Sequence, residues 1–202
     1  MLLAAPPGRL SDPRIVALGP ADPLLRIDAP GAPAAAVAQS RRFGPLLRFD
    51  HHRAAKGEPA DDRERGVLYC ARTLVCCVAE VFGDRGVVQR EGHRFARLAP
   101  TRELRLLDLR ETAATAAGTI PAIGSVGERE LTQAWARWWY DHPDLSELDG
   151  VTYASARCGH DAVAVWERAE GAVSVHAELP LDAAELADEL IVAAAAVQLA
   201  VV

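Results

Sequence analysis

The stretch from Gly66 to Gly83 constrains this chain more than any other. Val67, Leu68 and Tyr69 form an apolar run of strand type, Thr73 is a good N-cap, and Leu74, Cys77, Val78 and Val81 recur at helical spacing before Gly83 closes the segment. A strand that turns at once into an amphipathic helix brings the strand's end and the helix's flank to one side. Tyr69 and Glu80 can then face a common cleft. A glutamate beside an apolar helix face is most often simply solvated, so the residues alone leave both readings of Glu80 open.

With 202 residues, half of them hydrophobic and a quarter charged, the chain has the size and composition of one globular domain. A formal charge of −6 gives no electrostatic reason to bind nucleic acid. Lys56 is the only lysine, which leaves nearly all positive charge on arginine, the side chain whose planar fork suits phosphates. Cys70, Cys76, Cys77 and Cys158 lack the paired Cys-x-x-Cys spacing of a zinc site and read as small core residues in a reducing, cytoplasmic setting, so no metal is expected. The apolar start is broken by Pro6 and Pro7 without a basic region before it, which argues against a secretory signal. Leu186 to Val202 is too short to span a membrane.

In chain order, residues 1–20 read as a flexible N-terminal arm in which only Ile15 to Leu18 can make a strand. Leu24 to Ile27 is a core strand carrying Arg26, and Ala32 to Gln39 a loop or helical turn. Leu46 to Asp50 reads as an apolar strand. Its Arg48 either points outward, snorkels, or waits for an anion. The polar loop 51–65 follows, with His51 and His52 as solvent-facing groups that can instead join a cleft. Strands are expected at Arg94–Leu98, Leu104–Leu109 and Val151–Ala154, a short helix at Glu111–Ala117, a loop from Gly118 to Gly127, and a helix with a tryptophan cluster from Glu128 to Tyr140. Period-two alternation puts Ser155 on the face of Tyr153, with Arg157 able to share it. Val163–Trp166 and Val173–Leu179 read as a hairpin, and Asp182 to Val202 as a helix with Asp182 as N-cap and Glu185 at N3. Its tail, Ile191 to Val202, is apolar almost all round, which calls for burial against the domain or a partner chain.

Taken together, Leu24-Leu25-Arg26-Ile27, Leu46-Leu47-Arg48-Phe49-Asp50, the Gly66–Gly83 unit, Asp149-Gly150-Val151-Thr152-Tyr153-Ala154-Ser155 and Ala162–Trp166 resemble the RES domain, a family named for an arginine, a glutamate and a serine. Here these are Arg48, Glu80 and Ser155. The resemblance implies an α+β fold with an ADP-ribosyltransferase-like mixed sheet core and flanking helices, with the RES domain at 21–180 and a C-terminal helix at 181–202. It also implies the chemistry of bacterial toxins that destroy NAD and are neutralised by an antitoxin; with the apolar tail helix, a homodimer or a toxin–antitoxin complex is expected. Glu80, Arg48, Tyr69 and Ser155 would be catalytic, and Arg26, Arg48, Tyr69, Ser155 and Arg157 would bind substrate. Neither a Gly-x-Gly-x-x-Gly nor a Gly-x-x-x-x-Gly-Lys stretch occurs, so NAD is expected as a consumed substrate and not as a cofactor. Water as acceptor makes a glycohydrolase, phosphate a phosphorylase, and a protein side chain an ADP-ribosyltransferase; a non-catalytic binding module on the same fold is the remaining alternative. A serine hydrolase built on Ser155 is disfavoured, because Tyr153-Ala154-Ser155-Ala156-Arg157 lacks the Gly-x-Ser-x-Gly elbow.

Overall fold

The computed structural model of the chain describes residues 3–31, 37–55 and 57–202. Most of the Ala32–Gln39 piece therefore lies outside the described residues. A sheet of eight strands runs through the molecule in the order β1 (Ile15–Leu18), β8 (Leu104–Asp108), β9 (Gly150–Ala154), β10 (Asp161–Trp166), β5 (Val67–Ala71), β2 (Leu24–Asp28), β7 (Arg94–Pro100), β11 (Val173–Pro180). All neighbours are antiparallel except β8 and β9. That parallel pair needs a crossover, which is made by α2 (Ala113–Ala116) and α3 (Arg129–Asp141). Two short pairs lie apart: β3 (Phe43–Gly44) with β4 (Ala60–Asp61), and β6 (Val87–Val88) with β12 (Ala200–Val201). The fold is thus α+β with a mixed sheet.

Both faces of the sheet's inner strands are buried, which explains strands that read as continuous apolar runs. Val67 and Ala71 of β5 and Ala162, Ala164 and Trp166 of β10 face one core, shared with the helices; Leu68, Cys70, Val163 and Val165 face a second. On the helical side, α1 (Leu74–Phe82) starts at Thr73, whose extended backbone and side-chain oxygen, accepting from the Cys76 amide at 3.2 Å, make the expected N-cap. α1 buries Cys76, Cys77, Val78, Ala79 and Phe82. From α3, Trp135 and Trp139 are fully buried and their indole N–H groups donate to the carbonyls of Ala4 and Ala117. The first of these bonds ties the N-terminal stretch to the domain, as does the pairing of β1 with β8.

Three elements differ from the sequence reading. Leu46 to Phe49 is a turn, because the Asp50 carboxylate accepts from the Leu46 and Leu47 amides and folds the chain back on itself. β10 and β11 form no hairpin: both edges of β10 are taken by β5 and β9, so β11 pairs with β7 at the far edge. Asp182 caps nothing, since the buried Leu181 and Leu186 pull the chain through a 3₁₀ turn at Ala184–Leu186 before α4 (Ala187–Ala196), and the chain ends as β12. His51 and His52, expected to face solvent or join a cleft, are instead fully buried.

Candidate functional site

Tyr69 in the middle of β5, Tyr153 on β9 and Glu80 on α1 converge beside the helix. Two connected hollows open there. One, of about 260 Å³, is largely apolar, walled by Leu25, Ile27, Ala71 and Val81 with Arg26 and Arg41 at its side. The other, of about 300 Å³, is lined by Arg48, Arg129, Ala156 and Arg157. Leu47, Tyr69, Glu80 and Tyr153 line both, so they form the waist of a single cleft.

Glu80 is the cleft's carboxylate, with 41% of its side chain exposed. The Ser155 hydroxyl donates to its Oε1 at 2.5 Å, while the Arg157 guanidinium lies 4.0 Å from Oε2. Ser155 itself is buried and also accepts from the Arg157 amide at 3.1 Å. Arg157 reaches past Gly83 to bind Asp84 at 2.5 Å. A Cβ at Gly83 would stand 3.0 Å from that guanidinium and 2.5 Å from the Ala79 carbonyl, which is why the helix closes on glycine.

The remaining cations of the cleft are held in two ways. Arg26 pairs with Asp28 at 2.6 Å, and Arg41 places one nitrogen 2.7 Å from each oxygen of Asp50. Arg48 donates to the Val126 carbonyl and Arg129 to the Leu46 carbonyl, both neutral acceptors. Burial pushes the pKa of Arg48 down, with the cleft's tyrosines and Glu80 opposing. Even so it keeps its charge at neutral pH. A partly desolvated guanidinium whose hydrogen bond, among the described residues, goes to a neutral carbonyl is poised for an anion.

Tyr69 offers its ring and not its hydroxyl. The phenol donates to Asp50 at 2.8 Å and accepts from the Phe49 amide at 3.0 Å. Burial and the neighbouring Asp50 hold its pKa well above the usual range, so it moves no proton at neutral pH. Tyr153, whose pKa burial and Glu80 likewise push up, packs its ring 4.6 Å from that of Phe49.

Five of the six residues singled out from the sequence, Arg26, Arg48, Tyr69, Glu80 and Arg157, line the cleft, and Ser155 reaches it through Glu80. Arg48 does so from a turn and not from a strand. Sequence reasoning missed Arg41, Asp50, Arg129 and Tyr153 as parts of the site. Only Tyr153 left a usable signal, its alternation with Ser155. Among the described residues no group of three or more His, Cys, Asp or Glu can hold a metal, and no helix is long and apolar enough to cross a membrane.

Comparison with known proteins agrees with this architecture. A family model described as RES domain matches residues 23–187. Among solved structures, a chain of the crystal structure of the M. tuberculosis MbcT–MbcA toxin–antitoxin complex is similar in fold, with a TM-score of 0.55 and 17% sequence identity over 86% of this chain and 91% of that one. No curated protein matches significantly.

Proposed function

Since the chain belongs to the RES domain family, we propose that it is an enzyme of toxin–antitoxin type that consumes NAD by cleaving the nicotinamide–ribose bond. The observation that carries this reading is the waist of the cleft: a half-exposed carboxylate, oriented by a buried serine, between tyrosine rings and flanked by arginines on both sides. Departure of nicotinamide leaves positive charge on the ribose carbon, and the bonding pair goes to the nicotinamide nitrogen, which becomes neutral. An oriented carboxylate stabilises that cation more than it does the ground state. Glu80 takes this role, with Ser155 fixing its rotamer. Arginines of the two hollows grip the pyrophosphate, and the Tyr69 and Tyr153 rings wall the leaving base. Water then adds to the ribose carbon and loses a proton, giving ADP-ribose; phosphate in its place gives the 1-phosphate.

The similar solved structure is a toxin–antitoxin complex, and by analogy we assign this chain an antitoxin partner that covers or fills the cleft. α4 adds a second contact surface: Leu190, Ala193 and Ala194 are buried in the chain's own core, while Ile191 and Val192 are 55% and 69% exposed. Incubating the purified chain with NAD, with and without phosphate, and identifying the products tests the reaction. Release of nicotinamide with ADP-ribose or its 1-phosphate is expected. Intact NAD would leave a binding module, and ADP-ribose attached to protein would make the chain a transferase.

A further inference from the structure

Asp50 lines neither hollow, yet it holds three groups that do. Its carboxylate is fully buried and accepts from the Arg41 guanidinium at 2.7 Å on both oxygens, from the Tyr69 hydroxyl at 2.8 Å, and from the Leu46 and Leu47 amides at 2.5 and 2.8 Å. Arg41 and Leu47 come from the segment that leads into Asp50 and Tyr69 from β5, and each forms part of the cleft wall. A buried carboxylate unmatched by donors would be expelled or protonated. Here the donors saturate it, and burial's upward push on its pKa is outweighed by Arg41 and the two amides, so it stays ionised.

We propose that Asp50 is the positioning residue of the cleft: it sets the Arg41 guanidinium, the Tyr69 ring and the Leu46–Leu47 turn in the geometry that receives the nucleotide. The proposal rests on the NAD reading above. The chemistry demands a carboxylate. Asparagine offers one acceptor oxygen and turns an NH₂ group towards N–H and O–H donors, leaving some of them unpaired. Through the turn, Asp50 also keeps Leu47 at the waist, where Gln133 of α3 holds the Leu47 carbonyl from the other side at 3.0 Å. Asp50 touches no substrate in this scheme. Its effect therefore falls on binding, because the groups it aims contact the nucleotide before and during the reaction alike.

Steady-state kinetics of the full chain with NAD, with nicotinamide release as readout, tests this. Asp50→Asn is expected to raise KM about tenfold with kcat within about threefold, whereas general loss of folded protein lowers kcat and spares KM. On an Arg41→Lys background the same change should multiply KM by less than about threefold, since both substitutions disturb one arrangement. If Asp50→Asn fails to fold, Tyr69→Phe carries the test: it removes one donor to Asp50 and keeps the ring, and should raise KM about threefold. An unchanged KM in the folded variants, or fully multiplicative effects of Asp50→Asn and Arg41→Lys, overturns the role of Asp50 and leaves the NAD reading standing. A wild-type chain that consumes no NAD overturns both.

Discussion

Arg48 shows how far single residues can be read from sequence and where that reading stops. A charge inside Leu-Leu-Arg-Phe needs a reason, and the structure supplies one: a half-buried guanidinium in the cleft wall, donating to Val126. The spacing of Tyr69 and Glu80 let both face one cleft, whereas the roles of Glu80 and Ser155 entered through the family resemblance and not through the residue pattern. Arg41 and Asp50 were not legible, because their meaning lies in their pairing with each other and in the Asp50 contact with Tyr69, across a loop whose path no periodicity encodes. Arg48→Lys keeps the charge and loses the fork, so KM for NAD should rise about tenfold with little change in kcat. Kinetics identical to wild type would move the phosphate grip to Arg41 or Arg26.

Among the elements, the strand–turn–helix from Val67 to Phe82 was legible because cap, helical spacing and apolar strand all agree locally, although the strand runs on past Tyr69 to Ala71. The failures share one cause, competition from distant partners. β10 cannot form a hairpin with β11 when β5 and β9 already occupy it, and the last helix starts late because Leu181 and Leu186 are claimed by the core. α4 consequently has two unlike sides. Ile191→Asp with Val192→Asp should change stability by less than about 0.5 kcal/mol, while Leu190→Asp, which places a charge at a fully buried position, should unfold the chain. If α4 joins two copies, light scattering will report a dimer for the wild type and a monomer for the exposed-side pair. An unaltered mass for that pair removes α4 from the interface.

Over the whole molecule, fold class was accessible from the resemblance, but strand order was not, because five of the seven pairings in the large sheet join strands that are not neighbours in sequence. One buried tie fastens this sheet to α3. Glu167, just after β10, accepts from His51 at 2.9 Å, from the Gly66 amide at 2.9 Å and from the Tyr140 hydroxyl of α3. Burial alone would raise its pKa, but these donors prevail and bring it down to about 2 from an ordinary 4.5. A carboxylate with a depressed folded pKa stabilises the fold above its unfolded value and loses that contribution as pH falls. Between pH 4.5 and about 2 the chain should lose on the order of a few kcal/mol from this group. Buried His51, whose pKa burial pushes down, adds a loss that begins below about its ordinary 6.5. Acid unfolding followed by circular dichroism should therefore be flatter between pH 4.5 and 2 in Glu167→Gln, and an identical curve would show that the tie carries no proton linkage. The cleft opens on the helical side of the same sheet, and Glu80 stands at its centre. Nicotinamide release by Glu80→Gln is the most direct measurement: the account predicts kcat about 10²- to 10³-fold below wild type with an unchanged thermal midpoint. Release within about threefold of wild type would contradict it.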